Sequence, residues 1–132
     1  MQVRVYYEDT DAAGVVYHAG YIRFFERART EYLRKLGFSV AELAHEGAVF
    51  PVVRMEVEFL AAARHDDLLE ITTSPERVAG ATLSFRQQAL RSADGKLLVS
   101  ALVTLACIGS DNRARRIPGQ IRQVLNGKDS KE

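Results

Sequence analysis

The chain has 132 residues, 47% hydrophobic and 27% charged, with a formal net charge of +1. That is the length of one domain able to bury its own core, and so balanced a charge excludes a role built on bulk attraction to nucleic acid or another polyanion. One cysteine excludes an internal disulfide framework and points to a reducing, cytoplasmic compartment. No leader pattern precedes the first strand, and no apolar run is long enough to cross a bilayer.

Residues 2–8, QVRVYYE, alternate with Val3, Val5 and Tyr7 on one side and predict a strand. Residues 9–20 hold Gly14 and Gly20 and predict a loop. Its apolar content implies that it lies against something, because exposed loops are ordinarily polar. From Tyr21 the period becomes helical. Ile22, Phe25, Ala28, Tyr32 and Leu36 share one face, and Arg23, Arg27, Glu31 and Lys35 share another. Arg27–Glu31 and Glu31–Lys35 are spaced for i,i+4 pairing. Gly37 stops the helix, and Ser39 with Glu42 has capping-box spacing for a short second helix that fades by Gly47.

Four strands follow. FPVVRMEVEFL sets Val53, Met55, Val57 and Phe59 against Arg54, Glu56 and Glu58. ARHDD turns the chain. LLEITTSPERV is the next strand, with Pro75 at an irregular or edge position. After Gly80 comes ATLSFRQQAL, and Asp94-Gly95 signals a hairpin. KLLVSALVTLACIG is apolar enough to be central, with Cys107 as a buried small hydrophobe. Pro118-Gly119 introduces a last helix over 120–125, and residues 126–132 predict a loose tail after a single domain over 1–125. A strand, one long helix and then four strands argue an α+β class in which an antiparallel sheet wraps the helix.

The segment YYEDTDAAGVVYHAGYIRFFE, residues 6–26, carries the chemistry. Asp9, Asp11 and Gly14 match part of a calcium loop, but the later ligands are missing and a strand precedes instead of a helix. Asp11, His18, His45 and His65 lack the spacing of a transition-metal site. A plain reading makes Asp9 a strand end, Asp11 a local turn and His18 a side chain at the start of the helix. The remaining reading is catalysis by a carboxylate beside a helix N-terminus.

Tyr7, Asp9, Thr10, Asp11, Gly14, Val16, Tyr17, His18, Tyr21, Glu26, Ala28 and Arg29 together resemble the signature of the YbgC-type branch of the 4-hydroxybenzoyl-CoA thioesterase family. The resemblance extends from Val3 to about Ile108, with GATLSF and AAARHDDLLEI as weaker echoes. Ala62 stands where relatives often have proline, a departure that touches a turn. The resemblance implies the hotdog fold, a five-stranded antiparallel sheet wrapped around a long central helix, and an acyl-CoA thioesterase that uses no metal or other cofactor. It makes Asp11 the catalytic carboxylate and His18 the branch's histidine, with the His18 backbone N–H as oxyanion donor. Tyr17, and less strongly Phe59, are the acyl-contact candidates. Two-fold dimers with the active site at the interface, or tetramers of two dimers, are implied, as is a link to acyl carrier protein or membrane-associated lipid-synthesis proteins.

The chemistry stands beside the resemblance. A carboxylate is ordinarily ionised at neutral pH and can attack a thioester or deprotonate water. A helix N-terminus offers free N–H groups to the developing oxyanion. The other groups have plainer readings: Tyr21, Phe24 and Phe25 as helix core, Glu26 as a structural acid, and the basic run 113–116 as a solvated turn or a phosphate contact. A hotdog hydratase or a non-catalytic binding protein remain alternatives.

Overall fold

The computed structural model describes residues 1–129. Five strands, β1 (Gln2–Arg4), β2 (Val52–Phe59), β3 (Leu68–Ala79), β4 (Thr82–Arg91) and β5 (Leu97–Ala106), form one antiparallel sheet in the order β1-β3-β4-β5-β2. The helices are α1 (His18–Lys35), α2 (Val40–His45) and α3 (Gly119–Asp129). The α+β class and the long central helix predicted from the sequence are present. Among the described residues no helix is long and apolar enough to cross a membrane.

The first strand is shorter than its alternation predicts. The Asp9 carboxylate accepts the Tyr6 N–H at 2.8 Å, and Asp9 N donates to Tyr6 O at 3.0 Å. This closes a single 3-10 turn over Tyr7–Asp9 and ends the ladder. The last helix is longer than predicted: it runs to Asp129, through part of the expected tail, and the rest of that tail, 130–132, lies outside the described residues. The Ser39 hydroxyl caps α2 by accepting Glu42 N at 3.2 Å, half of the expected capping box; the return bond from Ser39 N to the Glu42 carboxylate is absent among the described residues.

Helix α1 buries Tyr21, Phe24, Phe25, Ala28, Arg29 and Leu33. They meet Leu69, Ile71, Leu83, Phe85, Ala89, Val99, Ala101 and Val103, all buried. The apolar stripe is thus rotated from the predicted one, and Ile22 is left 42% exposed. Glu31 pairs with Arg34 at 3.6 Å rather than with Arg27 or Lys35. Such an exposed pair contributes only a few tenths of a kcal/mol.

One polar side chain is built into this core. Gln87 on β4 is fully buried, in register with Thr73 on β3 and Ala101 on β5. Its amide nitrogen donates to Phe25 O at 2.9 Å and to Thr73 Oγ1 at 3.0 Å. Its oxygen accepts Arg29 Nη1 at 3.1 Å. Burial holds the Arg29 guanidinium below its ordinary pKa, opposed by the nearby charge of Glu26. Gln87 therefore ties the middle of α1 to the sheet and solvates a buried cation. Gln87→Leu strands these partners and is expected to destabilise the fold by about 3 kcal/mol, read as a fall in the urea midpoint.

Cys107 follows β5 and is fully buried, and burial pushes its thiol pKa up. Among the described residues β2 pairs only with β5, so it is an edge. A bulge interrupts it: Val52 lies opposite Leu105 and Arg54 opposite Thr104, which leaves Val53 as the extra residue. Val53 was predicted inward by alternation. The bulge breaks that alternation, and Val53 is 60% exposed.

Candidate active site

The segment 10–16 folds as a small hairpin. Thr10 bridges Val16, and Asp11 N donates to Val15 O at 2.9 Å. The turn between them needs the positive φ of Gly14, +77°. Asp11 Oδ1 accepts Ala13 N at 2.8 Å, and Asp11 O accepts Gly14 N at 2.9 Å. The second carboxylate oxygen of Asp11 has no partner among the described residues, and the residue is exposed. The plain turn reading of Asp11 is therefore present, and it leaves one oxygen available for chemistry.

The returning arm binds a second segment. Val16 N donates to Ala63 O at 2.9 Å, and Ala63 N donates to the Tyr21 hydroxyl at 3.0 Å. Ala63 thus fastens the hairpin and the first turn of α1 to one point. Val16 is the buried member of the apolar loop; Ala12, Ala13 and Tyr17 are exposed, so the expected covering of this loop is only partly supplied within one chain.

Helix α1 starts at His18, three residues before the change of period at Tyr21. Tyr17 occupies the N-cap with extended backbone, φ −70° and ψ 151°, and no side chain among the described residues caps the helix. No acidic residue lies in its first turn. The sequence lacked a capping residue to mark this start. The N–H groups of His18 and Ala19 have no acceptor among the described residues. An uncapped end of this kind presents free donors and the positive end of the helix dipole.

Beside that end is a cleft of about 280 Å³, lined by Val15, Val16, His18, Tyr21, Phe59 and residues 60–62. The His18 ring lies 4.7 Å from that of Phe59, and Tyr21 lies 5.9 Å from it. Two of the four candidate residues, His18 and Phe59, therefore line one cleft. Asp11 does not line it, but bonds across the hairpin to Val15, which does. Tyr17, the leading acyl-contact candidate, stays outside. It is 57% exposed, with its ring 5.6 Å from His18. As the N-cap it precedes the helix instead of sharing the face of His18.

Tyr21, three residues past His18, shares that face and is both core and cleft wall. Burial raises the pKa of its phenol. Ala62, read as a turn position, is a wall residue, so the departure from proline falls within the cleft. Glu26 makes no hydrogen bond among the described residues. The basic run 113–116 is exposed apart from the cleft. Among the described residues no group of three or more His, Cys, Asp or Glu side chains is placed to hold a metal ion.

Gly20 sets how closely the helix meets the hairpin. A Cβ there would stand 2.9 Å from Val16 Cγ1. Val16 is buried, so Gly20→Ala is expected to push the hairpin off the helix end and lower kcat by about tenfold to a hundredfold. Adding Val16→Ala is expected to restore part of that loss, measured as a double-mutant cycle.

Comparisons with known proteins give the family. A family model for the thioesterase-like superfamily matches residues 5–125. The acyl-CoA thioesterase YbgC of Haemophilus influenzae is 50% identical over 107 residues, covering 80% of this chain and 77% of its own. The acyl-CoA thioester hydrolase YbgC of Escherichia coli O6:H1 is 51% identical over 106 residues, covering 80% and 78%. A probable thioesterase from Bartonella henselae superposes with a TM-score of 0.84 at 42% identity, covering 89% of this chain and 97% of its own. With a helix end open on a cleft, and relatives of this closeness along most of its length, the chain belongs to the thioesterase-like superfamily, in the YbgC-type branch of hotdog thioester hydrolases.

Proposed function

We propose that the protein hydrolyses short- to medium-chain or aromatic acyl-CoA, with Asp11 and the backbone N–H of His18 acting on one thioester carbonyl. The observation that carries this reading is the uncapped start of α1 at the rim of the cleft, beside the hairpin that holds Asp11. The thioester oxygen takes the free N–H of His18. Negative charge develops on that oxygen in the tetrahedral intermediate, so the donor gains most there. The free oxygen of Asp11 attacks the carbonyl carbon to give a mixed anhydride that water then cleaves to free the acid and regenerate Asp11, or removes a proton from the water that attacks instead. The thiolate leaves without strong acid assistance. The His18 ring, held against Phe59, orients the acyl group or the water. No metal or redox group enters the scheme.

Two copies are proposed to join through β2. The support is an edge strand of 8 residues whose apolar side chains are left in water: Val52, Val53 and Phe59, followed by Leu60, are 43%, 60%, 45% and 55% exposed. Ile22 of α1 adds to this surface.

The experiment is thiol release from a panel of acyl-CoAs of increasing chain length, with benzoyl-CoA and an acyl-loaded carrier protein included. Release above background that disappears with Asp11→Asn supports the proposal. A folded protein that releases thiol from none of them leaves binding without hydrolysis, and a change at an acyl double bond without release leaves hydration.

A further inference from the structure

The connector 60–67, between β2 and β3, is neither helix nor strand, yet it walls the cleft and fastens the hairpin that carries Asp11. Its two halves are held differently. Leu60 N and Ala61 N both donate to Leu98 O, at 2.8 and 3.1 Å, so the first half rests on β5. In the second half, two successive peptide groups are gripped at both ends. The group between Ala62 and Ala63 donates its N–H to the Tyr21 hydroxyl at 3.0 Å, and its oxygen accepts Arg91 Nη2 at 3.2 Å. The group between Ala63 and Arg64 accepts Val16 N at 2.9 Å and donates its N–H to Asp67 Oδ2 at 2.9 Å. That same Asp67 oxygen accepts Arg91 Nε at 3.4 Å. Arg91 therefore reaches one grip directly and the other through Asp67.

Arg91 is the last residue of β4, on the inward parity of Leu83, Phe85, Gln87 and Ala89. Its Nη1 donates to Asp94 Oδ2 at 3.0 Å, in the hairpin that follows, which fixes the plane of the guanidinium. A rigid fork of donors suits three acceptors in three directions; a lysine ammonium does not. The Arg91 and Asp67 side chains are only 23% and 25% exposed, so the pair is largely covered. Ion pairing with Asp67 and Asp94 accounts for two of the three bonds. The third goes to a carbonyl of the cleft wall, and no other donor among the described residues reaches that oxygen.

We propose that Arg91 is a positioning residue for the hydrolysis: by holding the backbone of Ala62–Arg64 it fixes the Asp11 hairpin against the start of α1. The inference rests on the thioesterase reading. The path is short. Ala63 O holds Val16 N, Val16 bridges Thr10, and Asp11 N donates to Val15 O. Loss of Arg91 displaces the carboxylate, while Leu60 and Ala61 keep their own bonds to β5 and the wall they form stays in place.

The test measures kcat and KM separately for one acyl-CoA that the wild-type protein hydrolyses. Arg91→Met keeps much of the side chain's bulk and removes its donors. It is expected to lower kcat by about tenfold or more, the scale of a small misplacement of a reacting group, with KM steady. In an Asp11→Asn background, single-turnover rates are expected to show no further loss on adding Arg91→Met, because the group being positioned is already gone. A role in stability alone moves the urea midpoint and produces neither result. Arg91→Lys keeps a cation beside Asp67 and Asp94 but has one nitrogen for three acceptors, and it covers the case in which Arg91→Met does not fold. The same loss of kcat at steady KM is expected from it. Wild-type kcat in a folded variant, a change in KM alone, or an undiminished second loss beside Asp11→Asn overturns the inference and leaves the thioesterase reading standing. Absence of thiol release by the wild-type protein overturns both.

Discussion

Asp11→Asn is expected to lower kcat by about 10²–10⁴, the span of a positioned acid–base group, with little change in stability. The local geometry makes this a clean substitution. The asparagine oxygen still accepts Ala13 N, the 2.8 Å bond that shapes the turn, and the Asp11 backbone bonds to Val15 and Gly14 are untouched. What disappears is the charge on the oxygen that has no protein partner. An amide can neither attack a thioester nor take a proton from water at neutral pH. The urea midpoint should move by no more than the usual surface range of about 0.5 kcal/mol. Near-normal turnover in the folded variant would remove Asp11 from the chemistry.

The second large effect is expected from removing a backbone hydrogen. Proline has no N–H and is tolerated at the first position of a helix, where that N–H is unpaired in any case. His18 is that position in α1. Proline also constrains the residue before it to extended backbone, and Tyr17 already has φ −70° and ψ 151°. His18→Pro should therefore fold. Compared with His18→Ala, which loses the ring but keeps the donor, it is expected to lose a further 10²–10³ or so in kcat, the worth of one oxyanion donor. Single-turnover rates for the two variants measure the difference. Equal rates would assign the role of His18 to its ring.

Much of this architecture was legible in the sequence because it rests on local periods. Alternation located β2 through β5, helical spacing located α1, and Asp94-Gly95 marked a hairpin in which Lys96 N donates to Asp94 Oδ1 at 3.1 Å. The run from Tyr7 to Arg29 carries Asp11 and His18 as one local pattern. What the sequence withheld depends on partners distant along the chain. Strand order is one case: nothing local in VVRMEVEF says that it sits at an edge beside β5. The placement of Tyr17 outside the cleft, and of Tyr21 and Ala62 in its wall, depends on where the helix begins, and no side chain marks that start. Gln87 offered a clue that alternation alone supplies. It shares the parity of Leu83, Phe85 and Ala89, so a polar residue at an inward position was visible, though not the helix carbonyl that it serves.

The fate of Cys107 has a practical consequence. It is the chain's one cysteine, fully buried, and its thiol is held away from the reactive thiolate by its surroundings. A disulfide-exchange dye of the kind that counts liberated coenzyme A should thus be blind to the native enzyme and give a flat baseline. The same dye becomes a sentinel for damage: one equivalent of slow colour, appearing without substrate, reports a molecule that has come open.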